Sequence, residues 1–124
     1  MREFLEFLVA VSVLAEYLKD VAKNQKTVFY EDVAALLKLN LRNPDDRQTL
    51  NAYLDEVSTE EDNNNRPLLS ALVVNKKGAN QGFPGKEFGK LGRELGYSHE
   101  DGELDEMAFA VEQINASFAY WKEA

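Results

Sequence analysis

From Leu68 to Asn75 the chain reads LLSALVVN, almost continuously apolar, with Ser70 as the interruption. A run of this length without polar alternation predicts a strand covered on both faces. Such a strand needs a partner. Thr27 to Phe29 is a short β-favouring run, and Gln81 to Phe83 follows a turn built from Lys77, Gly78, Ala79 and Asn80. Around the apolar run, Arg66 to Gly96 holds six of the seven glycines of the chain.

The flanking sequence is helical in pattern. Phe4, Phe7, Val11, Leu14, Leu18 and Val21 alternate spacings of three and four, predicting a helix over Glu3 to Lys23. Leu5, Val9 and Val13 add a second apolar ridge, so this helix should be covered on more than one side. Tyr30 to Lys38 resumes helical spacing, with Glu31 and Asp32 at the positive end of the helix dipole. Asn43 before Pro44, Asp45 and Asp46 is a helix-start signal, and the helix it opens should run to about Glu61. A last helix, Glu103 to about Trp121, carries Leu104, Met107, Val111, Ile114, Phe118 and Trp121 on one seam. Ser98 and Asp101 are spaced like a weak capping box ahead of it.

These elements predict a single domain over residues 1–124, of the α+β class and mainly helical. It should hold about five helices and a small two- or three-stranded sheet, with a winged-helix-like core clamped by the N- and C-terminal helices. A chain of 124 residues, 44% hydrophobic, is long enough for one core and short for two. The absence of cysteine excludes disulfides, zinc-thiolate sites and cysteine nucleophiles, and fits the cytoplasm. The apolar start is punctuated by Glu3, Glu6 and Glu16 and falls short of the ~20 apolar residues of a spanning helix, so no membrane partner is expected.

Charge divides the candidate surfaces. The net charge of −8 disfavours non-specific contact with nucleic acid or anionic membrane. Asp55, Glu56, Glu60, Glu61 and Asp62 form an acidic helix end suited to a basic protein partner. Lys76, Lys77, Lys86, Lys90 and Arg93 stand against Glu87 alone and form the candidate nucleic-acid surface. Gly85, Gly89, Gly92 and Gly96 recur at spacings of four, three and four, which reads either as a loop or as a helix with a glycine stripe costing about 1 kcal/mol per glycine. Close backbone packing or a partner's close approach at Gly85, Gly89 and Gly92 would repay that cost. No Walker or dinucleotide pattern accompanies the stripe, no cofactor is implied, and no metal-ligand set is spaced for binding. The lone His99, among Ser98, Glu100 and Asp101, reads as a surface residue.

RPLLSALVV followed by GFPGKEFGKLGRELG resembles a signature of small uncharacterised bacterial or phage proteins, over about a quarter of the chain. More distantly, FYEDVAALL, a second helix and PLLSALVVNKKG are similar to the winged-helix domain of alkylguanine DNA alkyltransferases and their non-catalytic relatives. Tyr30, Val33 and Ala34 match the start of that family's first helix, and Pro67, Val73 and Val74 its proline and strand. Where the family has Pro-Cys-His-Arg this chain has Pro67, Leu68, Leu69 and Ser70, which excludes alkyl transfer. The family's minor-groove contact would lack its arginine and its basic helix.

Two functions follow as expectations. The first is a non-enzymatic protein-interaction module, an immunity or inhibitor protein or a subunit of a larger complex, using the acidic surface. The second is a winged-helix-like nucleic-acid binder using the basic segment 76–93. A homodimer is compatible with either.

Overall fold

The computed structural model describes residues 2–98 and 102–122, so the readings of His99 and of the Asp101 cap fall outside the described residues. Helix α1 spans Arg2–Lys23, strand β1 Val28–Phe29, helix α2 Tyr30–Leu36 and helix α3 Pro44–Asn63. A 3-10 turn at Leu69–Leu72 leads into strand β2, Val73–Val74, and helices α4, Lys86–Glu94, and α5, Glu106–Trp121, complete the chain. The result is a mainly helical α+β domain. No helix among the described residues is long and apolar enough to cross a membrane.

Local chemistry explains the helix boundaries. Asn43 Oδ1 accepts the Asp45 N–H at 2.9 Å with Pro44 in the first helical position, so α3 starts where its cap signal stands. Asp105 Oδ1 accepts the Ala108 N–H at 3.0 Å, which starts α5 at Glu106 rather than at Glu103. After α1, α2 and α3 a single non-glycine residue, Gln25, Lys38 or Asn65, takes φ 58°. Each turns the chain by the left-handed residue that commonly closes a helix. Gly96, at φ 90°, does the same after α4, with Tyr97 N–H bonded to Gly92 O at 2.9 Å.

The expected strand from Leu68 to Asn75 is the main correction, because only Val73–Val74 is strand. Leu68 to Leu72 are all buried, but they divide between neighbours with period three rather than two. Leu69 and Leu72 join the larger core with Leu14, Leu18, Val33, Leu50 and Val57, whereas Leu68 and Ala71 join a smaller one with Phe88, Phe109 and Ala110. That is the eclipsed i, i+3 geometry of a 3-10 turn. Ser70 takes the third side. Its N–H donates to Ser58 Oγ at 3.0 Å and the two hydroxyls lie 2.6 Å apart, while the Leu68 N–H donates to Gln113 Oε1 at 2.9 Å. The turn thus touches α1, α3 and α5 at once.

β1 and β2 pair in parallel, Val28 with Val73 and Phe29 with Val74, so Thr27 to Phe29 does supply the partner. The stretch near Gln81 adds a bridge to Asn75, and the described residues form no third strand. The segment after β2 closes as a turn held by Gly82 N–H donating to Asn75 O and Phe83 N–H to Asn80 O, each at 2.9 Å, and not as a two-stranded wing. The terminal helices α1 and α5 meet as expected, and just after α1 the Gln25 Nε2 donates to Phe118 O of α5 at 3.0 Å.

Two apolar faces differ from expectation. α5 buries Phe109, Ala110, Gln113 and Ser117, with Ile114, Phe118 and Trp121 partly covered, while Met107 and Val111 face solvent. The helix is rotated because it must cover both α4 and the 3-10 turn. The second ridge of α1, Leu5, Val9 and Val13, is uncovered, since no other element of the described domain lies over it.

The glycine stripe is explained by packing of α4 on α5. A β-carbon at Gly92 would come within 2.5 Å of the Phe109 ring, which stacks on Phe88 at 5.1 Å between centroids. One at Gly89 would meet the Glu106 carboxyl group at 2.5 Å, and that side chain, although ion-paired with Arg93 at 2.7 Å, is half-exposed and flexible enough to give way. Gly92→Ala should therefore destabilise the fold by about 1 to 3 kcal/mol, and Gly89→Ala by much less, since alanine's better helix propensity offsets the displaced carboxylate. Thermal melts of the two variants check the order, and equal melting points would contradict it.

Candidate anion-binding cleft

The cleft with the most converging polar groups is assembled from the ends of four elements. Tyr30 and Glu31 open α2, and Leu41 and Arg42 belong to the loop before α3. Arg47, Leu50 and Asn51 come from α3, Asn75, Lys76 and Lys77 follow β2, and Gly85, Lys86 and Glu87 begin α4. Its volume is about 540 Å³.

Hydrogen bonds fix its walls. The Gly85 N–H donates to Tyr30 Oη at 2.7 Å, joining the first residues of α2 and α4. Burial raises the Tyr30 pKa, with Glu87 adding to it and the Gly85 bond opposing, so the hydroxyl keeps its proton for donation. Asn75 holds the turn after β2, its Nδ2 and backbone N–H both donating to Phe83 O at 3.0 and 2.9 Å. Arg47 Nη1 donates to Leu41 O at 2.6 Å, which ties the loop carrying Arg42 to α3. Lys76 Nζ lies 5.6 Å from the centre of the Phe29 ring, within range of a cation–π contact.

Five bases, Arg42, Arg47, Lys76, Lys77 and Lys86, thus face two acids, Glu31 and Glu87, a local excess of three positive charges on a chain of net charge −8. Of the bases expected from sequence, Lys76, Lys77 and Lys86 come together here. Lys90 lies elsewhere on α4 beside Asp55, and Arg93 pairs with Glu106 at 2.7 Å. Arg42 and Arg47 were not among the expected bases. They flank the Asn43–Pro44 cap, and only the folded path of the loop turns them toward Lys76. Gly85 belongs to the cleft wall, whereas Gly89 and Gly92 serve packing.

The acidic helix end is largely engaged within the fold. Glu61 is buried and accepts both Nε and Nη2 of Arg66, at 2.6 and 3.1 Å. Asp62 Oδ1 accepts the Tyr97 hydroxyl at 2.7 Å, and the Tyr97 pKa is pushed up to about 12 by burial first and by Asp62 second. Asp55 is half-buried toward α4. Its carboxyl pKa rises from 3.8 to about 6, through burial first, then Glu87 and Glu94, with Lys90 acting in the opposite direction. Glu60 is exposed and Glu56 partly so.

No protein-family model matches the chain, and neither a curated protein nor a solved structure matches it. The geometry alone therefore speaks to function.

Asp55 has a measurable consequence for stability. Between about pH 4 and 6 the folded state holds a proton that the unfolded chain releases, so stability from this group is complete below the unfolded pKa and falls as pH rises through the folded one. Asp55→Asn should raise the unfolding free energy at pH 7 by about 1 kcal/mol, solvent screening of a half-exposed group holding the gain to that size. The difference should vanish near pH 4. Equal effects at both pH values in parallel denaturant titrations would contradict this.

Proposed function

We propose that this domain is a binding module rather than an enzyme, and that its basic cleft takes the phosphate backbone of a short nucleic-acid segment. The observation that carries the reading is the convergence of Arg42, Arg47, Lys76, Lys77 and Lys86 from separate stretches onto one cleft. What gathers there is positive charge and hydrogen-bond donors, the means of holding phosphate. A volume of about 540 Å³ lies within the ~300 to 1,000 Å³ of small-ligand sites, enough for a nucleotide rather than a broad duplex surface. The net charge of −8 weakens approach from a distance. At physiological salt, however, screening acts over about 8 Å, so a phosphate inside the cleft responds chiefly to the bases lining it.

The acidic-surface reading keeps a narrower basis. Asp55, Glu61 and Asp62 have partners or burial within the domain, which leaves Glu56 and Glu60 as the residues available to a basic protein.

Fluorescence anisotropy with a short single-stranded oligonucleotide tests the proposal. Binding should be tight enough to measure at low salt and should weaken toward ~150 mM, with a slope of about −0.7 per phosphate neutralised. Joint replacement of Arg42, Lys76 and Lys86 by glutamine should weaken it at least ~10-fold, a loss of about 1.4 kcal/mol, and flatten the slope. Absence of binding at low salt, or binding unchanged in the triple variant, would overturn it. If Glu56→Lys with Glu60→Lys slowed association with a basic protein while the triple variant did not, the acidic-surface reading would take its place.

A further inference from the structure

Five of the fourteen basic residues of the chain line the cleft, and among the described residues none of the five is ion-paired to a carboxylate. Other bases are neutralised where they stand. Arg66 pairs with Glu61 at 2.6 Å, Arg93 with Glu106 at 2.7 Å and Lys19 with Glu16 at 3.4 Å. The five cleft bases face two acids, Glu31 and Glu87, so an excess of three positive charges is kept for a ligand.

That excess stops at the edges of the cleft. On the α2 side the adjoining depression, of about 260 Å³, shares Glu31, Leu41 and Arg42 with the cleft and adds only uncharged residues. One base there meets one acid. On the α4 side a depression of about 80 Å³ shares Gly85 and Lys86 with the cleft and adds Glu106 as its other charged residue. Further along α4, Lys90 lies beside Asp55. A strand held along its backbone needs a basic groove that continues over several nucleotides. Here both adjoining surfaces are neutral, and the positive charge is concentrated where one phosphate would sit.

Resting on the phosphate-binding reading of this cleft, we infer that it holds one phosphate monoester carried on a nucleotide, at a strand end or on the free nucleotide, rather than the diester linkages of an internal tract. A diester brings a single negative charge. A monoester brings about −1.5 to −2 at neutral pH and three strong acceptor oxygens. Three uncompensated positive charges in one place match the larger charge, and the third oxygen takes a further donor. The Tyr30 hydroxyl is such a donor, because it accepts the Gly85 N–H at 2.7 Å while its own proton has no acceptor among the described residues. Leu41, Leu50 and the Tyr30 ring supply the apolar wall against which a sugar or base packs.

Fluorescence anisotropy at low salt, comparing one short single strand carrying a 5′-phosphate, a 3′-phosphate or hydroxyl ends, tests the inference. Phosphate at one of the ends should tighten binding at least ~10-fold over the hydroxyl-ended strand. Lys77→Gln with Lys86→Gln, both at exposed positions and so without cost to folding, should bring that ratio to about one, whereas Lys90→Gln, outside the cleft, should leave it unchanged. Competition separates the two sources of the monoester. Displacement of the phosphorylated strand by a nucleoside monophosphate at similar concentration supports the monoester site with the free nucleotide as its ligand, and displacement by the phosphorylated strand alone supports it with the strand end. Inorganic phosphate competing as well as either would overturn the inference. Equal affinity for all three strands would also overturn it while leaving the backbone-binding reading in place, and failure of every strand to bind would overturn both.

Discussion

Two backbone N–H groups, those of Leu68 and Ser70, have no ladder or helix to receive them, and the arrangement of the domain follows from how they are satisfied. They lie in a buried 3-10 turn among α1, α3 and α5, where an unpaired donor costs about 1 to 3 kcal/mol. Gln113 of α5 accepts one and Ser58 of α3 the other. Both side chains are buried, and each fixes the register of its helix against the turn. Once held, the turn sends Leu69 and Leu72 into one core cluster and Leu68 and Ala71 into the other.

The turn also aims what comes after it. The chain leaves directly as β2, pairs with β1, and so delivers Asn75, Lys76 and Lys77 beside the start of α2. The Tyr30 hydroxyl then draws the first turn of α4 to the same place through Gly85. Element ends gather there, and element ends expose both N–H groups and the side chains of loops. The opposite charge is spent differently, with Glu61 and Asp62 tied to Arg66 and Tyr97. A chain of net negative charge thereby keeps a positive cleft, and its charge distribution is decided by tertiary contacts.

Much of this was legible in the residue order. The spacing of Val11, Leu14 and Leu18 marks the buried face of α1, the Asn43–Pro44 pair marks the start of α3, and Thr27 to Phe29 reads as the partner of the apolar run. Other features depend on neighbours. A short run of buried apolar residues has the same pattern as strand or as tight helix, and what decided it was Ser58 and Gln113, distant in sequence and supplying side-chain acceptors. The glycine spacing indicated close approach, but whether Gly92 met a ring or a ligand depended on the rotation of α5 that also left Met107 and Val111 outside. Arg42 sits in a loop whose course is set by the bond from Arg47, near the start of α3, to Leu41 O, so no local signal singled the two out. The outer ridge of α1 was visible as an apolar stripe and remains uncovered in the single chain.

The dependence of the fold on the two captured N–H groups is most directly tested by amide hydrogen exchange, followed residue by residue by NMR. The Leu68 and Ser70 amides should exchange only through global unfolding, with protection matching that of core amides such as Leu14 and Leu54. In Ser58→Ala the protection of Ser70 should drop together with global stability. Fast exchange at Leu68 and Ser70 in the native protein, while the helices stay protected, would show that the turn is not held by Ser58 and Gln113 and would contradict the account.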